Sequence, residues 1–372
     1  MFYLIFLGVM GLLNVYVYRR LFKQLHFNLD RIGLVLLSLL FVLQIAFALE
    51  IRTHFLPDSP QLYYILSMSV GITTILFFVT IFYDLLHTVS RRIPYDESRR
   101  YFIKVIFDVT MLVLAASYLL NGIFGGLRRP VMNDVRVSIK GFGYDNFRIA
   151  QLSDIHIGRT IGADFVRECV DRINAQKPDL VVLTGDIVDL PVDMIKEALF
   201  ELTKLESTYG TYFIMGNHEY FRGPEAVVKH IRELGITVLL NESVIVGEAE
   251  SAFNLVGIND LVSKRIGTMP YDIEAAFEEV DSALPTIVLA HQPKTVEITL
   301  HKEFDLMLSG HTHGGQIFPF GFLVMLNQPY LAGLYDIDAK KQIFVSRGTG
   351  YWGPPVRVLA PSEISLLNIH PA

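Results

Sequence analysis

The sequence lacks disulfide-forming capacity, strong net charge, internal repeats and low-complexity linkers. Its single cysteine, Cys169, excludes an intramolecular disulfide, and apolar residues recur around it at helical spacing. We therefore expect Cys169 to be a small buried hydrophobic residue rather than a reactive thiol. The net charge of −6 is mild and gives no support for a nucleic-acid polymer as a partner.

Apolar residues are in excess, and the excess is concentrated in the first third of the chain. The hydrophobic fraction is 51% and the mean hydropathy is +0.39, values too high for a wholly soluble protein. A helix needs roughly 20 residues to cross a bilayer core, and four apolar runs approach this length: residues 2–18, 32–49, 62–82 and 105–124. No basic residue precedes the first run, which favours a retained span over a cleaved signal peptide. We predict four transmembrane helices within residues 1–129 and a globular domain over residues 130–372.

Basic residues predict the orientation of these spans. The loops after the first and third runs carry most of the basic residues of this region, whereas only Arg52 lies between the second and third runs. The two basic loops contain Arg19, Arg20, Lys23, Arg31, Arg91, Arg92, Arg99, Arg100 and Lys104. The positive-inside rule places both loops in the cytoplasm and the globular domain on the extracytoplasmic side of the cell membrane. Arg128 and Arg129 oppose this orientation, but the long domain that follows them weakens their influence.

Asp108 is the acidic residue within the fourth apolar run. Lys104 lies one helical turn before it, near the end of the span. An i,i+4 pair or snorkelling to the interface explains both residues more simply than a functional charge inside the membrane.

The globular domain has an α/β pattern that begins βαβα and continues mainly with strands, which predicts two facing sheets with helices outside. We predict helices over residues 163–176, 192–205, 224–234 and 272–280. The predicted strands cover residues 135–139, 148–152, 180–183, 211–215, 237–240, 243–246, 253–258, 286–290, 304–308, 342–346 and 363–369, the first with the alternation of an edge strand.

Five of the predicted strands are followed by residues of the kinds that bind metal ions. These residues are Asp154 and His156, Asp186, Asn217 with His218 and Glu219, His291, and His311 with His313. Mixed Asp, Asn and His ligands suit Mn, Fe or Zn and lack the thiolates of a structural zinc site. Two such ions about 3.5–4 Å apart can clamp a phosphoryl group and generate a hydroxide nucleophile. The carboxylate of Asp186 could bridge them.

These blocks, in this order across residues 148–315, resemble the calcineurin-like metallophosphoesterases. The segments 153–158 and 346–350 are most similar to the membrane-associated, YkuE-like branch. The resemblance implies an αββα sandwich and two divalent metal ions, which we expect to be Mn, with Fe or Zn as alternatives. It assigns Asp154, His156, Asp186 and His313 to the first ion and Asp186, Asn217, His291 and His311 to the second. It makes His218 a catalytic proton donor or charge stabiliser, while Asp189 and Glu219 orient other groups or form turns.

The sequence leaves the substrate open. A phosphodiester, a phosphomonoester or a lipid-linked phosphate would suit a membrane-anchored phosphoesterase, with membrane lipids as further partners. One alternative is a pyrophosphatase acting on a nucleotide-linked acylated sugar at the cytoplasmic face. Another is a non-catalytic membrane sensor that uses the domain to bind a ligand. Arg159, Arg347 and Arg357 could recognise a phosphate, although ion pairing explains each of them equally well.

Overall fold

The chain divides into two compact units, which we describe separately. The computed structural model describes residues 2–53, 55–57, 59–90, 97–248 and 251–372. The first unit contains Met1–Leu127 together with Gly353–Val358, and the second contains Arg128–Trp352 together with Leu359–Ala372.

The first unit is built from long apolar helices. They are α1 Phe2–Val17, which continues as a π-helical turn over Tyr18–Phe22, then α2 Asp30–Thr53, α3 Pro60–Ser90 and α4 Glu97–Leu127. Within the described part of the chain, four segments are long and apolar enough to cross a membrane, which confirms the four predicted apolar helices. Helices α2, α3 and α4 extend beyond the predicted apolar runs because the Leu, Glu and Arg residues near the run ends are good helix formers.

The interior of the helical unit contains a closed hydrogen-bond network between α1, α2 and α3. The Asn14 amide donates to Gln44 Oε1 at 3.0 Å, and the Gln44 amide donates to Thr73 Oγ1 at 2.8 Å and to the Ser69 carbonyl at 3.0 Å. The Thr73 hydroxyl donates back to Asn14 Oδ1 at 3.2 Å. Buried polar groups in a membrane segment need partners of this kind, because lipid offers none.

Asp108 has different partners from the one we expected. Its carboxylate accepts hydrogen bonds from the Tyr83 hydroxyl at 2.9 Å and from the His26 backbone N–H at 2.8 Å, so neighbouring chain segments satisfy it rather than Lys104. Arg91 and Arg92 of the second basic loop lie outside the described residues.

The second unit is an α/β domain with two six-stranded sheets. Its strands are β1 Val131–Ile139, β2 Phe147–Leu152, β3 Leu180–Leu183, β4 Thr211–Phe213, β5 Thr237–Val238, β6 Glu242–Val246, β7 Phe253–Ile258, β8 Thr286–Ala290, β9 Leu306–Ser309, β10 Gly333–Asp336, β11 Gln342–Val345 and β12 Glu363–Pro371. Its α-helices are α5 Ala163–Asn174, α6 Lys196–Glu201, α7 Asn217–Phe221, α8 Pro224–Glu233, α9 Ser263–Ile266, α10 Ile273–Ala276, α11 Thr295–Thr299 and α12 Gly321–Val324.

The two sheets have similar strand arrangements. The first has the order β1-β12-β2-β3-β4-β5 and the second the order β10-β11-β9-β8-β7-β6. Strands β2 to β5 are parallel to one another, and so are β7, β8, β9 and β11. Parallel strands start and finish at common edges, so the carboxyl ends of β2, β3 and β4 lie at one edge of the first sheet. The carboxyl ends of β7, β8 and β9 likewise lie at one edge of the second sheet.

The apolar side chains form three layers of core, which confirms the predicted αββα arrangement. Leu180 and Val182 of β3 pack into the layer between the sheets, together with residues of β8 and β9. Val181 and Leu183 point the other way, into the layer under α5 and α8, where Cys169 is also buried as expected. A third layer lies between the second sheet and α10 and α11. Because both faces of β3 are covered, its sequence is continuously apolar rather than alternating.

Several predicted elements have different bounds. The helix expected over residues 192–205 is broken into a 3-10 turn at Val192–Met194, α6 and a second 3-10 turn at Leu202–Lys204. The break is at Ile195, whose φ of −129° and ψ of 16° are not helical. The helix expected over residues 272–280 shortens to α10, and β10 was not predicted.

Candidate metal centre

The predicted metal-binding residues lie where parallel strands of the two sheets end. Asp154 follows β2, Asp186 follows β3 and Asn217 follows β4, while His291 follows β8 and His311 follows β9. Ligand sites in α/β folds form at this edge because the chain turns away from each strand there. The two sheets therefore contribute to one site.

Most of these residues have a left-handed backbone. Five of them have positive φ values between 51° and 71°: Asp154, His156, Asp186, His311 and His313. Each such conformation costs a non-glycine residue about 1–3 kcal/mol and persists only where the surroundings enforce it. Here the backbone N–H of Asp154 donates to the Gly185 carbonyl at 2.9 Å, and that of His156 donates to the Asp186 carbonyl at 3.1 Å. The chain thus holds these side chains in fixed directions.

Asp154, His156 and His313 form the first group that could hold a metal ion. The Nε2 atoms of His156 and His313 are 3.0 Å apart, and His313 Nε2 is 3.4 Å from Asp154 Oδ1. Asp154 is fully buried and accepts the backbone N–H of His311 on both oxygens, at 3.0 and 3.1 Å. One carboxylate and two imidazoles therefore converge on a single point.

Asp186, His291 and His311 form the second group. His291 Nε2 is 3.2 Å from Asp186 Oδ2 and 3.3 Å from His311 Nδ1. The His291 Nδ1 atom contacts the Thr184 carbonyl at 2.9 Å, which fixes the ring with Nε2 toward the site. Burial, and then the charge of His291, lower the pKa of His311 to about 3. Burial would also lower the pKa of His291, but the charge of Asp186 outweighs it and raises that pKa above its usual value. Metal ions bind the neutral imidazole, so binding at this group would release the proton of His291.

Asn217 provides a direct test of whether these residues suit a metal ion. Its Oδ1 atom is buried and has no hydrogen-bond donor among the described residues. A buried acceptor without a partner is unfavourable by about 1–3 kcal/mol. An amide oxygen is a suitable ligand for a divalent ion. The next residue, His218, donates its backbone N–H to Asp186 Oδ1 at 2.8 Å, which links this segment to the second ligand group. The donor set therefore fits a centre with two divalent ions.

His218 lies beside both groups and is held by Asp189. Asp189 Oδ1 is 2.5 Å from His218 Nδ1 and 2.9 Å from His156 Nδ1, so one oxygen orients two imidazoles. The other nitrogen of His218, Nε2, is 4.0 Å from Asp186 Oδ2. Burial alone would lower the pKa of His218, but the charges of Asp186 and Asp189 outweigh it and raise the pKa to about 9. His156, Asp189 and His218 form a third close group, which the hydrogen bond to His156 and the ion pair with His218 already explain.

Glu219 organises the backbone beneath the site. Its carboxylate accepts four backbone N–H groups, from Asp186, Ile187, Val188 and Gly216, at 2.7 to 3.2 Å. It therefore orients the turn that carries Asp186, one of the two roles expected from the sequence.

Asp260 is a buried acid near the site that the sequence analysis missed. It accepts the side-chain amide of Gln292, the neighbour of His291, at 2.9 and 3.0 Å. The available signal was its position, two residues after the apolar strand β7, which is the same pattern as the predicted ligands.

The three arginines have different environments. The Arg347 guanidinium donates to the buried carboxylate of Glu363 at 2.7 Å, which favours the ion-pair interpretation. Arg357 is buried within the helical unit, where its backbone N–H donates to the Gly122 carbonyl at 3.0 Å. Arg159 is half-buried.

Known proteins are similar in sequence to this chain over regions that extend well beyond the site. Residues 147–315 match the calcineurin-like phosphoesterase family. An uncharacterised metallophosphoesterase from Campylobacter jejuni is 35% identical, and the match covers 98% of this chain and 97% of that protein. A transmembrane protein with metallophosphoesterase domain from Danio rerio is 33% identical over 69% of this chain and 61% of its own. The uncharacterised metallophosphoesterase YkuE from Bacillus subtilis is 32% identical over 73% of this chain and 97% of its own. The likeness to the Campylobacter protein extends over nearly the whole of both chains, and on this ground the chain belongs to the calcineurin-like metallophosphoesterase family.

Proposed function

We propose that the protein is a membrane-anchored phosphoesterase with two divalent metal ions, which hydrolyses a phosphodiester, a phosphomonoester or a lipid-linked phosphate. The observation that carries this proposal is the buried Oδ1 of Asn217, which has no donor among the residues that the structure describes and lies beside two convergent groups of Asp and His side chains. Buried acceptors usually have a partner, so an Asn217 Oδ1 without one, next to these groups, supports a role as a metal ligand.

In this proposal Asp154, His156 and His313 hold one ion, and Asn217, His291 and His311 hold the other. Asp186 belongs to the second group, and the family resemblance assigns its carboxylate to both ions, so it would serve both. Bound divalent ions neutralise charge on the phosphoryl oxygens and lower the pKa of a coordinated water. The left-handed backbone at five of these residues supports the assignment, because it fixes the ligands before any ion binds.

His218 has the role of proton donor to the leaving oxygen. Asp189 holds its Nδ1 atom, which leaves Nε2 directed toward the side of Asp186. A donor in this position acts on the leaving group without being needed as a ligand.

The membrane anchor favours a lipid or lipid-linked phosphate over a freely diffusing substrate, since tethering raises the effective concentration of whatever shares the membrane. In the orientation expected from the basic loops, the domain faces the extracytoplasmic side.

Asp186→Asn tests the dinuclear assignment. An amide bridges two cations poorly, so both ions should be lost together and turnover of a phosphodiester should fall to background. Asp193→Asn is the matched control, because the Asp193 side chain is 87% exposed and pairs with the nearby Lys196. Metal content per chain and turnover should be measured on full-length protein in detergent, after chelation and reloading, where we expect Mn²⁺ to restore activity most readily. Wild-type turnover with full metal content in Asp186→Asn would show the assignment to be wrong, and bound metal with no turnover of any phosphoester by the wild type would favour the sensor.

A further inference from the structure

The loop that follows His313 exposes an unusual number of large apolar side chains. We call residues 316–327, which include α12, the apolar loop. Six of its side chains are at least 41% exposed: Phe318, Phe320, Phe322, Leu323, Met325 and Leu326. Leu326 is 83% exposed and therefore projects from the surface rather than lying on it. A cluster of this size on a soluble surface marks a site of interaction.

The loop is held in place at both ends. At the start, Gln316 donates its amide to the Trp352 carbonyl at 2.9 Å and accepts the Trp352 backbone N–H at 3.0 Å. The backbones of Gly315 and Gly321 approach so closely that a side chain on Gly315 would overlap Gly321. At the end, Gln328 accepts the backbone N–H of Lys294 at 3.0 Å. These contacts fix the backbone that carries the apolar side chains, and we call them the frame.

The frame connects the apolar loop to the metal centre. His313 of the first ligand group is three residues before Gln316. The ring of Trp352 lies 6.2 Å from that of His218, and Phe221, also exposed, lies 6.0 Å from His218. Apolar groups therefore extend from the proton donor to the apolar loop.

The composition of the loop identifies the kind of partner. No Asp, Glu, Lys, Arg or His occurs over residues 314–334. A protein interface normally has a polar rim and hydrogen bonds around its apolar centre, whereas entry into hydrocarbon requires that charges be absent. Phenylalanines and leucines on a projecting loop suit fluid acyl chains, which need no complementary pocket.

Short connections in the chain keep the apolar loop close to a membrane. Only residues 128–130 separate α4, a candidate membrane span, from β1, and Trp352 directly precedes Gly353–Val358, which groups with the helices. We propose that the apolar loop inserts into the acyl region of the membrane that holds the four helices, and so keeps the metal centre beside the lipid headgroups. This inference concerns docking and does not depend on the reaction proposed above.

Quenching by brominated lipid tests the insertion without any measurement of turnover. Trp352 is the only tryptophan, and both of its hydrogen bonds to Gln316 are made by its backbone, so Trp352→Phe gives a tryptophan-free background. Into this full-length background we would place Leu326→Trp, with Phe322→Trp as a second reporter. Leu300→Trp is the matched control, since Leu300 is 47% exposed but is followed by His301 and Lys302 at the opposite end of β9.

Each variant is reconstituted into phosphatidylcholine vesicles, with and without bromine on the acyl chains. We expect L326W and F322W to emit at shorter wavelength and to lose a larger share of emission to acyl bromine than L300W. If neither reporter is quenched more than L300W, the proposal is wrong. Blue-shifted emission in crosslinkable dimers without bromine quenching would also overturn it, because the loop would then cover a second copy of the chain.

Discussion

Asp189 shows how a single side chain can set the chemistry of two others. One of its oxygens contacts both His156 and His218, so it fixes a predicted ligand and the predicted proton donor at once. Its charge also raises the pKa of His218, second only to Asp186 among the raising influences. An acid with a raised pKa stays protonated below that pKa and loses its proton as pH rises through it.

Asp189→Asn should therefore shift the alkaline limb of the pH–rate profile to lower pH. The amide retains an oxygen acceptor but removes the negative charge that favours the protonated imidazole, so His218 deprotonates earlier as pH rises. The measurement is kcat against pH for an alkyl phosphodiester, whose leaving group needs a proton. An aryl phosphodiester is the control and should show a smaller shift. Superimposable alkaline limbs for the two enzymes would argue against the role of His218.

His218→Gln should reduce the rate and leave the metal content unchanged. His218 is not a member of the two ligand groups that contain Asp154 and Asp186, and loss of a general acid typically costs about 10²–10⁴-fold in rate. The loss should be smaller for an aryl than for an alkyl phosphodiester. Metal analysis of the purified variant is the second readout, and the absence of one ion would make His218 a ligand instead.

At the scale of elements, the site depends on how closely the strand ends pack. Gly310 follows β9, and a side chain there would overlap the Ser153 hydroxyl and the Asp154 carboxylate that follow β2. The two sheets can therefore meet at the site only because position 310 has no Cβ.

Gly310→Ala should lower metal stoichiometry from two ions toward one and reduce thermal stability. The new methyl group displaces Asp154, a member of only the first group, and overpacking typically costs about 1–3 kcal/mol. Gly162→Ala is the matched control, since among the described residues no atom beyond its chain neighbours lies within 4 Å of the added Cβ. Metal analysis and thermal unfolding of the two variants decide the matter. Equal Tm values and two ions in both would mean that the close approach is not required.

Strand β3, which is buried on both faces, could be predicted from the sequence, whereas the partly buried strand β10 could not. Strand β3 is recognisable because all four of its residues are buried. Strand β10 has the sequence Gly-Leu-Tyr-Asp and is only partly buried. It begins with glycine, ends with aspartate and shows no alternation, so its sequence does not differ from that of a loop. Among site residues, the motifs identified the ligand candidates, but Asp260 belongs to no motif. The left-handed backbone of residues such as His311 could not be predicted either. Glycine adopts this conformation readily and so indicates it in a sequence, whereas histidine does not.

For the whole molecule, orientation in the membrane separates the candidate substrates. The basic loops predict that the domain faces away from the cytoplasm, whereas a nucleotide-linked acylated sugar would require the cytoplasmic face. We expect a periplasm-active reporter fused after Ala372 to be active and a cytoplasm-active reporter to be silent. The same reporters fused after Phe27, in the first basic loop, should give the opposite pattern. A cytoplasmic signal alone after Ala372 would reverse the orientation and make the nucleotide-linked substrate the leading candidate.

The position of β12 has a consequence for how the domain is made. β12 lies between β1 and β2 and pairs with β1 along nine positions from Val131 to Ile139. During synthesis β1 emerges directly after α4, yet its partner strand β12 begins only at Glu363. At 5–20 residues per second, β1 waits roughly 10–45 s for that partner. The nascent domain must therefore keep the facing edges of β1 and β2 unpaired until the ribosome has synthesised the segment that begins at Glu363.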